Sequence, residues 1–234
     1  MFKQLLSYFI PITIYSKRSK VNKNLEISWN KGKLVLDSEN TNYSYGSLQQ
    51  ILRKGLQHIG FETIKTMDNI LILGVAGGSV IKTLVDEIQY KGQITGVEID
   101  AEIIQIANDY FRLNEIQNLE IVIEDAFTFV LKTKKQYDLI VIDIFQDTVM
   151  PNFLFETFFM NSIGIILEPC GAILFNTMIL NQKQNERNEK FLDDLDAQSF
   201  TIEKIPRIEE HNELIVIKKI INKKEDSKLK SSFP

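Results

Sequence analysis

Residues 70–80 read Ile70-Leu71-Ile72-Leu73-Gly74-Val75-Ala76-Gly77-Gly78-Ser79-Val80, and this stretch decides the fold. Four apolar residues run directly into a turn of small residues, and a helix-like pattern follows. An unbroken apolar run of this length suits a strand buried on both faces, as in a parallel sheet. Gly74, Ala76, Gly77 and Gly78 leave room for backbone N–H groups to approach a ligand at the start of the next helix. The ligand expected at such a turn is a nucleoside-containing cofactor.

Working outward, strand-like and helix-like segments alternate from Asn69 onward. Strands are expected at 69–73, 93–98, 119–123, 137–142 and 171–178, with helices at 78–90, 101–111, 126–131, 153–167 and 184–195 between and after them. Two further strands, 200–205 and 213–218, are joined by a polar turn. This order predicts an α/β three-layer architecture, a mostly parallel sheet closed by antiparallel strand pairing at the C-terminus. Upstream, ITIYS, LEISW and KLVLD are short β-branched or alternating runs, and Asn30-Lys31-Gly32 supplies a turn. They predict a small N-terminal β unit, preceded by a short helix that Pro11 stops. A helix opened by Ser44 or Ser47 is expected to run to Ile59, with Leu48, Ile51, Leu52, Leu56 and Ile59 on one face. The expected division is 1–43 for the helix and β unit, 44–220 for the α/β domain, and 221–234 for a lysine-rich flexible tail.

The 234 residues are 44% hydrophobic and 25% charged, enough for one substantial core. A net charge of −4 gives no general attraction to nucleic acid. The single cysteine, Cys170, excludes an internal disulfide framework and a multi-thiolate metal site, fits a reducing cytoplasm, and is expected to serve structure. His58 and His211 lie far apart, which gives a histidine metal centre or a catalytic triad little support; each is expected to be structural or solvated. The apolar run at the N-terminus is too short to span a bilayer and is interrupted by Pro11. No metal and no integral membrane span are expected.

Acidic residues follow the glycine turn at the ends of successive strands. Glu98 in GVEID lies near the spacing expected of a carboxylate that accepts hydrogen bonds from ribose hydroxyls. Asp100 directly precedes AEIIQIA and reads as a helix cap. Glu124 and Asp125 end the third strand, where a carboxylate can accept from the exocyclic amine of adenine; Asp125 can equally cap a helix. Asp143, followed by Asp147, ends the fourth strand, over the crevice where ligands of open α/β sheets bind.

Together ILILGVAGGS, GVEID, EDA and YDLIVID resemble the Rossmann-like class I S-adenosylmethionine-dependent methyltransferase fold. With LEISWNKGKLVLDSENTNYSYGSL, the chain more narrowly resembles the spermidine synthase, or polyamine aminopropyltransferase, branch, over roughly Leu25 to Met178. The resemblance implies S-adenosylmethionine or its decarboxylated form as co-substrate, and a small amine as acceptor. It assigns Gly74, Ala76, Gly77 and Gly78 to the methionine-derived chain, Glu98 to the ribose, and Asp125 with Ala126 to the adenine. Asp143 matches the aspartate that accepts a proton from the attacking amine. Tyr45 matches a tyrosine of the polyamine pocket, with Gln146 and Asp147 on the same substrate side. The chain departs from the family at Gly77, where the loop carries an aspartate for the aminopropyl amine, at Gly46, and at Gln146.

Two other readings stay open. One is methyl transfer from intact S-adenosylmethionine, for which Gly77 leaves room and removes a repelling charge; the other is a non-catalytic relative binding a nucleoside or a protein, in which Tyr43, Tyr45 and Phe145 only pack. An NAD-binding domain fits less well, because GVAGGS lacks the spacing G-x-G-x-x-G. A homodimer paired through the N-terminal β unit is compatible with all three.

Overall fold

The computed structural model describes residues 2–19, 21, 24–38, 42–146, 148–208 and 211–220. The segment expected to be a flexible tail, 221–234, and Asp147 lie outside them.

The chain opens with α1 (Phe2–Leu6), followed by β1 (Ile12–Lys17), β2 (Leu25–Asn30), β3 (Lys33–Asp37) and β4 (Asn42–Ser44). These four strands form an antiparallel sheet in sequence order. Three were expected; β4 comes from a polar segment whose pairing with β3 outweighs its weak strand pattern. Helix α2 (Gly46–Ile59) buries Ile51, Leu52 and Leu56, the face its periodicity predicted. Helix α3 (Phe61–Lys65) then leads into the second sheet.

That sheet takes in β5 (Asn69–Leu73), β6 (Gln93–Glu98), β7 (Leu119–Ile123), β8 (Tyr137–Ile142), β9 (Leu167–Met178), β10 (Phe200–Ile208) and β11 (Asn212–Lys219). Between them run α4 (Ser79–Lys82), α5 (Ala101–Phe111), α6 (Ala126–Lys132), α7 (Thr157–Ile166) and α8 (Gln182–Asp194). The strand order is β10-β11-β9-β8-β5-β6-β7. Strands β7, β6, β5, β8 and β9 are parallel, and β11 is inserted antiparallel between β9 and β10. This is the Rossmann-like α/β methyltransferase topology.

Pleating divides the apolar run of β5 between two cores. Ile70 and Ile72 join Leu52, Leu56, Ile81 and Leu84 on one face. Leu71 and Leu73 join Phe159, Ile163 and Phe175 on the other. The same alternation splits Leu139 and Val141 from Ile140 and Ile142 on β8, so helices must cover both faces. A third, smaller core joins Leu25, Ile27 and Leu36 to Ile103, Ile106 and Phe111, and seats the N-terminal sheet on α5.

The helix expected over 78–90 is α4 continuing into a π turn, Thr83–Glu87. Thr83 Oγ1 donates back to the Ser79 carbonyl at 3.0 Å, a local bond that competes with the regular ladder. Cys170 is exposed at a left-handed position, φ 66°, rather than packed. His58 is partnered with Glu203 at the surface, 2.5 Å away. Among the described residues no helix is long and apolar enough to cross a membrane.

Candidate active site

Register builds the site. Leu73 pairs with Val97 on one side and Ile142 on the other, and Ile142 pairs with Phe175. The next residue on each strand is therefore Glu98, Gly74, Asp143 or Asn176, and these four stand in a row across the C-terminal edge. Parallel strands turn at this edge, where their chain ends open the crevice of an α/β sheet.

Gly74 has φ +89°, and a Cβ there would lie 2.1 Å from the Asp143 carbonyl oxygen. Only glycine allows that approach without displacing a strand end. Beyond Gly74 the loop is tied down mostly by protein. Glu98 Oε2 accepts from Val75 N and Ala76 N, both at 3.1 Å, and Glu98 Oε1 accepts from Asp100 N at 3.1 Å. Gly78 N donates to the Val75 carbonyl at 2.9 Å, and Ser79 N to Ser44 Oγ at 3.2 Å. Of the four residues expected to bring N–H groups to a ligand, Ala76 and Gly78 thus have theirs engaged within the protein. A buried carboxylate takes Val75 N and Ala76 N, a backbone carbonyl takes Gly78 N, and a buried hydroxyl takes Ser79 N, because orphan donors in a sealed turn need partners.

Glu98 is almost fully buried. Burial raises its pKa above the usual carboxylate range, and the three backbone donors partly oppose that shift. Asp143 Oδ1 accepts from Asn176 Nδ2 at 2.8 Å. Its Oδ2 has no protein donor among the described residues and is not sealed from open space. Burial pushes the Asp143 pKa up to about 6, the Asn176 donor opposes this, and the Glu98 charge adds to it. A carboxylate held near neutrality with one oxygen available suits proton transfer.

Beside this row lies a cavity of about 200 Å³. Gly74, Glu98, Asp125, Ala126 and Gln146 line it, together with apolar side chains of Ile99, Ile144, Phe145 and Phe153. Apolar walls with carboxylates at the margin suit an aromatic base attached to a sugar. Asp125 Oδ1 caps α6, accepting from Thr128 N at 2.9 Å and Thr128 Oγ1 at 3.1 Å. Asp100 caps α5 through Glu102 N at 3.0 Å, as its position predicted. Gln146 Nε2 donates to the Val21 carbonyl at 3.1 Å, which ties the turn after β8 to the N-terminal segment.

Of the other expected residues that the structure describes, Ala76, Gly77, Gly78, Tyr45 and Asp143 do not line this cavity. Ala76, Gly77 and Gly78 follow Gly74 on the loop. Tyr45 stacks on Phe111 at a centroid distance of 4.3 Å, and its backbone is strained at φ 68°. Gly77 is boxed in: a Cβ there would lie 2.8 Å from Ser44 Cβ and 3.3 Å from Tyr45 Cε2. Sequence reasoning missed the roles of Ser44 and Asn176. A serine one residue before a helix-opening tyrosine reads as a cap, and a lone asparagine inside an apolar strand carries no periodic signal.

The family model of the spermine/spermidine synthase domain matches residues 49–203. A probable polyamine aminopropyl transferase of Bifidobacterium longum is 29% identical over 126 residues, covering 54% of this chain and 28% of the relative. A polyamine aminopropyltransferase of Prochlorococcus marinus is 33% identical over 126 residues, 50% of this chain and 44% of the relative. The matches thus span less than half the length of these curated relatives. In fold, the chain is similar to a spermidine synthase crystallised with the transition state analogue AdoDATO. The TM-score is 0.69 at 18% identity, over 92% of this chain and 76% of that one. Human methyltransferase-like protein 13 in complex with SAH gives a TM-score of 0.62 at 19% identity, over 75% of this chain and 83% of that one. With the family model spanning well over half of its residues, including the strand-end row and the cavity's acids, this chain belongs to the spermine/spermidine synthase domain family.

Proposed function

We propose that the chain is a transferase that binds a nucleoside sulfonium, decarboxylated S-adenosylmethionine or the intact form, and that with the decarboxylated form it moves the aminopropyl group to a small amine. The observation that carries this reading is Asp143, a carboxylate near neutrality with one oxygen held and the other open, next to a nucleoside-sized cavity. The residues fit the group: Ile99, Ile144, Phe145 and Phe153 would sandwich the base, Asp125 would accept from its exocyclic amine, and Glu98 would hold the ribose. When bound, the co-substrate supplies a carbon activated by sulfonium, which leaves as a neutral thioether. Asp143 Oδ2 stabilises the acceptor ammonium and takes the proton it must lose before its nitrogen can attack. Tyr45, Gln146 and Asp147 would hold the acceptor. Gly74 to Gly78 would lie along the methionine-derived chain by close backbone approach rather than through the N–H groups the protein already holds. The reading requires neither metal nor nucleic acid and fits a cytoplasmic enzyme.

Methyl transfer from the intact co-substrate is the second reading; Gly77 favours it by lacking a negative charge that would repel the carboxylate, not by leaving room. Where the resemblance predicts an acidic anchor for the aminopropyl amine, Ser44 and Tyr45 occupy the space a side chain would need.

Calorimetric titration with S-adenosylmethionine, its decarboxylated form and methylthioadenosine separates the readings. Much tighter binding of the decarboxylated form supports aminopropyl transfer, and the reverse order supports methyl transfer. No binding of any of the three would leave only a non-catalytic, partner-binding relative.

A further inference from the structure

We propose that Asn176 and Asn212 are positioning residues for Asp143, a two-amide relay that holds one carboxylate oxygen so that the other meets the acceptor amine. The inference rests on the reading of Asp143 as the proton acceptor, and it adds residues from two further strands.

Asn176 is fully buried at the end of β9, and Asn212 nearly so at the start of β11. Asn212 Nδ2 donates to Asn176 Oδ1 at 3.0 Å, and Asn176 Nδ2 donates to Asp143 Oδ1 at 2.8 Å. The direction of this relay follows from the chemistry of its end. An ionised carboxylate only accepts, so Asn176 must turn its NH₂ toward Asp143. Its carbonyl is then buried and needs a donor, which Asn212 supplies. Without Asn212 the buried Asn176 carbonyl loses its donor, which weakens the orientation that the carboxylate selects.

Among the described residues, the relay meets no cation on the side of β9 and β11. From β6, Glu98 is the acid that acts on Asp143 through space. On β11 the neighbouring Glu213 is engaged elsewhere, accepting from Asn188 Nδ2 at 3.0 Å with Lys204 Nζ at 3.7 Å. From β9 and β11, Asp143 is thus approached by neutral amides. They orient it without holding it permanently ionised, as a lysine or arginine would.

The test follows the titration of the Asp143 carboxyl by NMR in protein labelled with ¹³C-aspartate, the signal being assigned by its loss in Asp143→Asn. The acid limb of the rate profile is measured in parallel. Asn176→Leu keeps the branched shape and removes the donor, so the Asp143 midpoint should rise by about one pH unit. Asn212→Leu should raise it by a smaller amount although it does not touch Asp143. Asn212→Ser, milder at the start of a strand, carries the same expectation should either leucine variant fail to fold. Folded variants whose Asp143 midpoint stays at the native value overturn the relay. A midpoint that moves while the acid limb stays fixed supports the relay and removes Asp143 as the base, which separates this inference from the reading beneath it.

Discussion

Replacing Asp143 with asparagine is expected to stabilise the fold above neutrality while abolishing turnover. The Asp143 carboxyl goes from an ordinary 3.8 to about 6 on folding. An acid with a raised folded pKa binds its proton more tightly in the native state. Its contribution to stability is therefore complete below pH 3.8 and is lost as the pH rises toward 6. Two pH units at about 1.4 kcal/mol each give a ceiling of about 3 kcal/mol, and partial exposure reduces this to about 2 kcal/mol. Asparagine removes the cost of the charge yet keeps an oxygen that can accept from Asn176 Nδ2. For a chain of this size, about 2 kcal/mol corresponds to a rise in melting temperature of roughly 4–8 °C. Urea midpoints of both proteins at pH 8 and near pH 4 test this directly, with the gain confined to pH 8. An Asp143→Asn protein no more stable than the native one at pH 8, or equally favoured at both pH values, would refute the assignment of a strained, buried charge. A variant that turned over at the native rate would remove Asp143 as the proton acceptor.

Three other substitutions probe the surrounding residues. Gly74→Ala places a Cβ 2.1 Å from a backbone oxygen at φ +89°, and should cost about 3 kcal/mol or more in a denaturation experiment; a native melting temperature would show that the strand ends yield more easily than their hydrogen bonds imply. Glu98→Gln leaves one of three backbone N–H groups facing an NH₂ donor. It should cost roughly 1–3 kcal/mol and, by removing a nearby negative charge, lower the Asp143 midpoint, so a midpoint that rose would contradict the coupling. Asp125→Ser retains a cap on α6 and Asp125→Ala removes it, at about 1 kcal/mol. Both should weaken methylthioadenosine binding about tenfold or more by calorimetry; unchanged affinity in the serine variant would confine Asp125 to capping.

Much of this site was legible because its parts are local. The apolar run ending at Gly74, the cap at Asp100 and the strand-end positions of Glu98, Asp125 and Asp143 each follow from a few neighbouring residues. The helical face of α2 was legible for the same reason, since its periodicity is strong. The partners of the loop N–H groups were not, because Ser44 reaches Ser79 from another sheet and its hydroxyl carries no periodic signal. Nor was the packing of Tyr45, whose ring meets Phe111 across α5 rather than along its own segment.

From residue order alone came the alternation of strands and helices, the glycine-rich loop, and the acids that follow it. These are properties of spacing, and spacing survives without knowledge of neighbours. Only tertiary structure decided that β11 enters between β9 and β10. That insertion brings Asn212 against Asn176, and the parallel register of β8 with β9 brings Asn176 against Asp143. Strand order depends on long-range pairing and on the burial of both sheet faces, which no local pattern encodes. The environment that raises Asp143 toward neutrality therefore exists only once the sheet has closed around it.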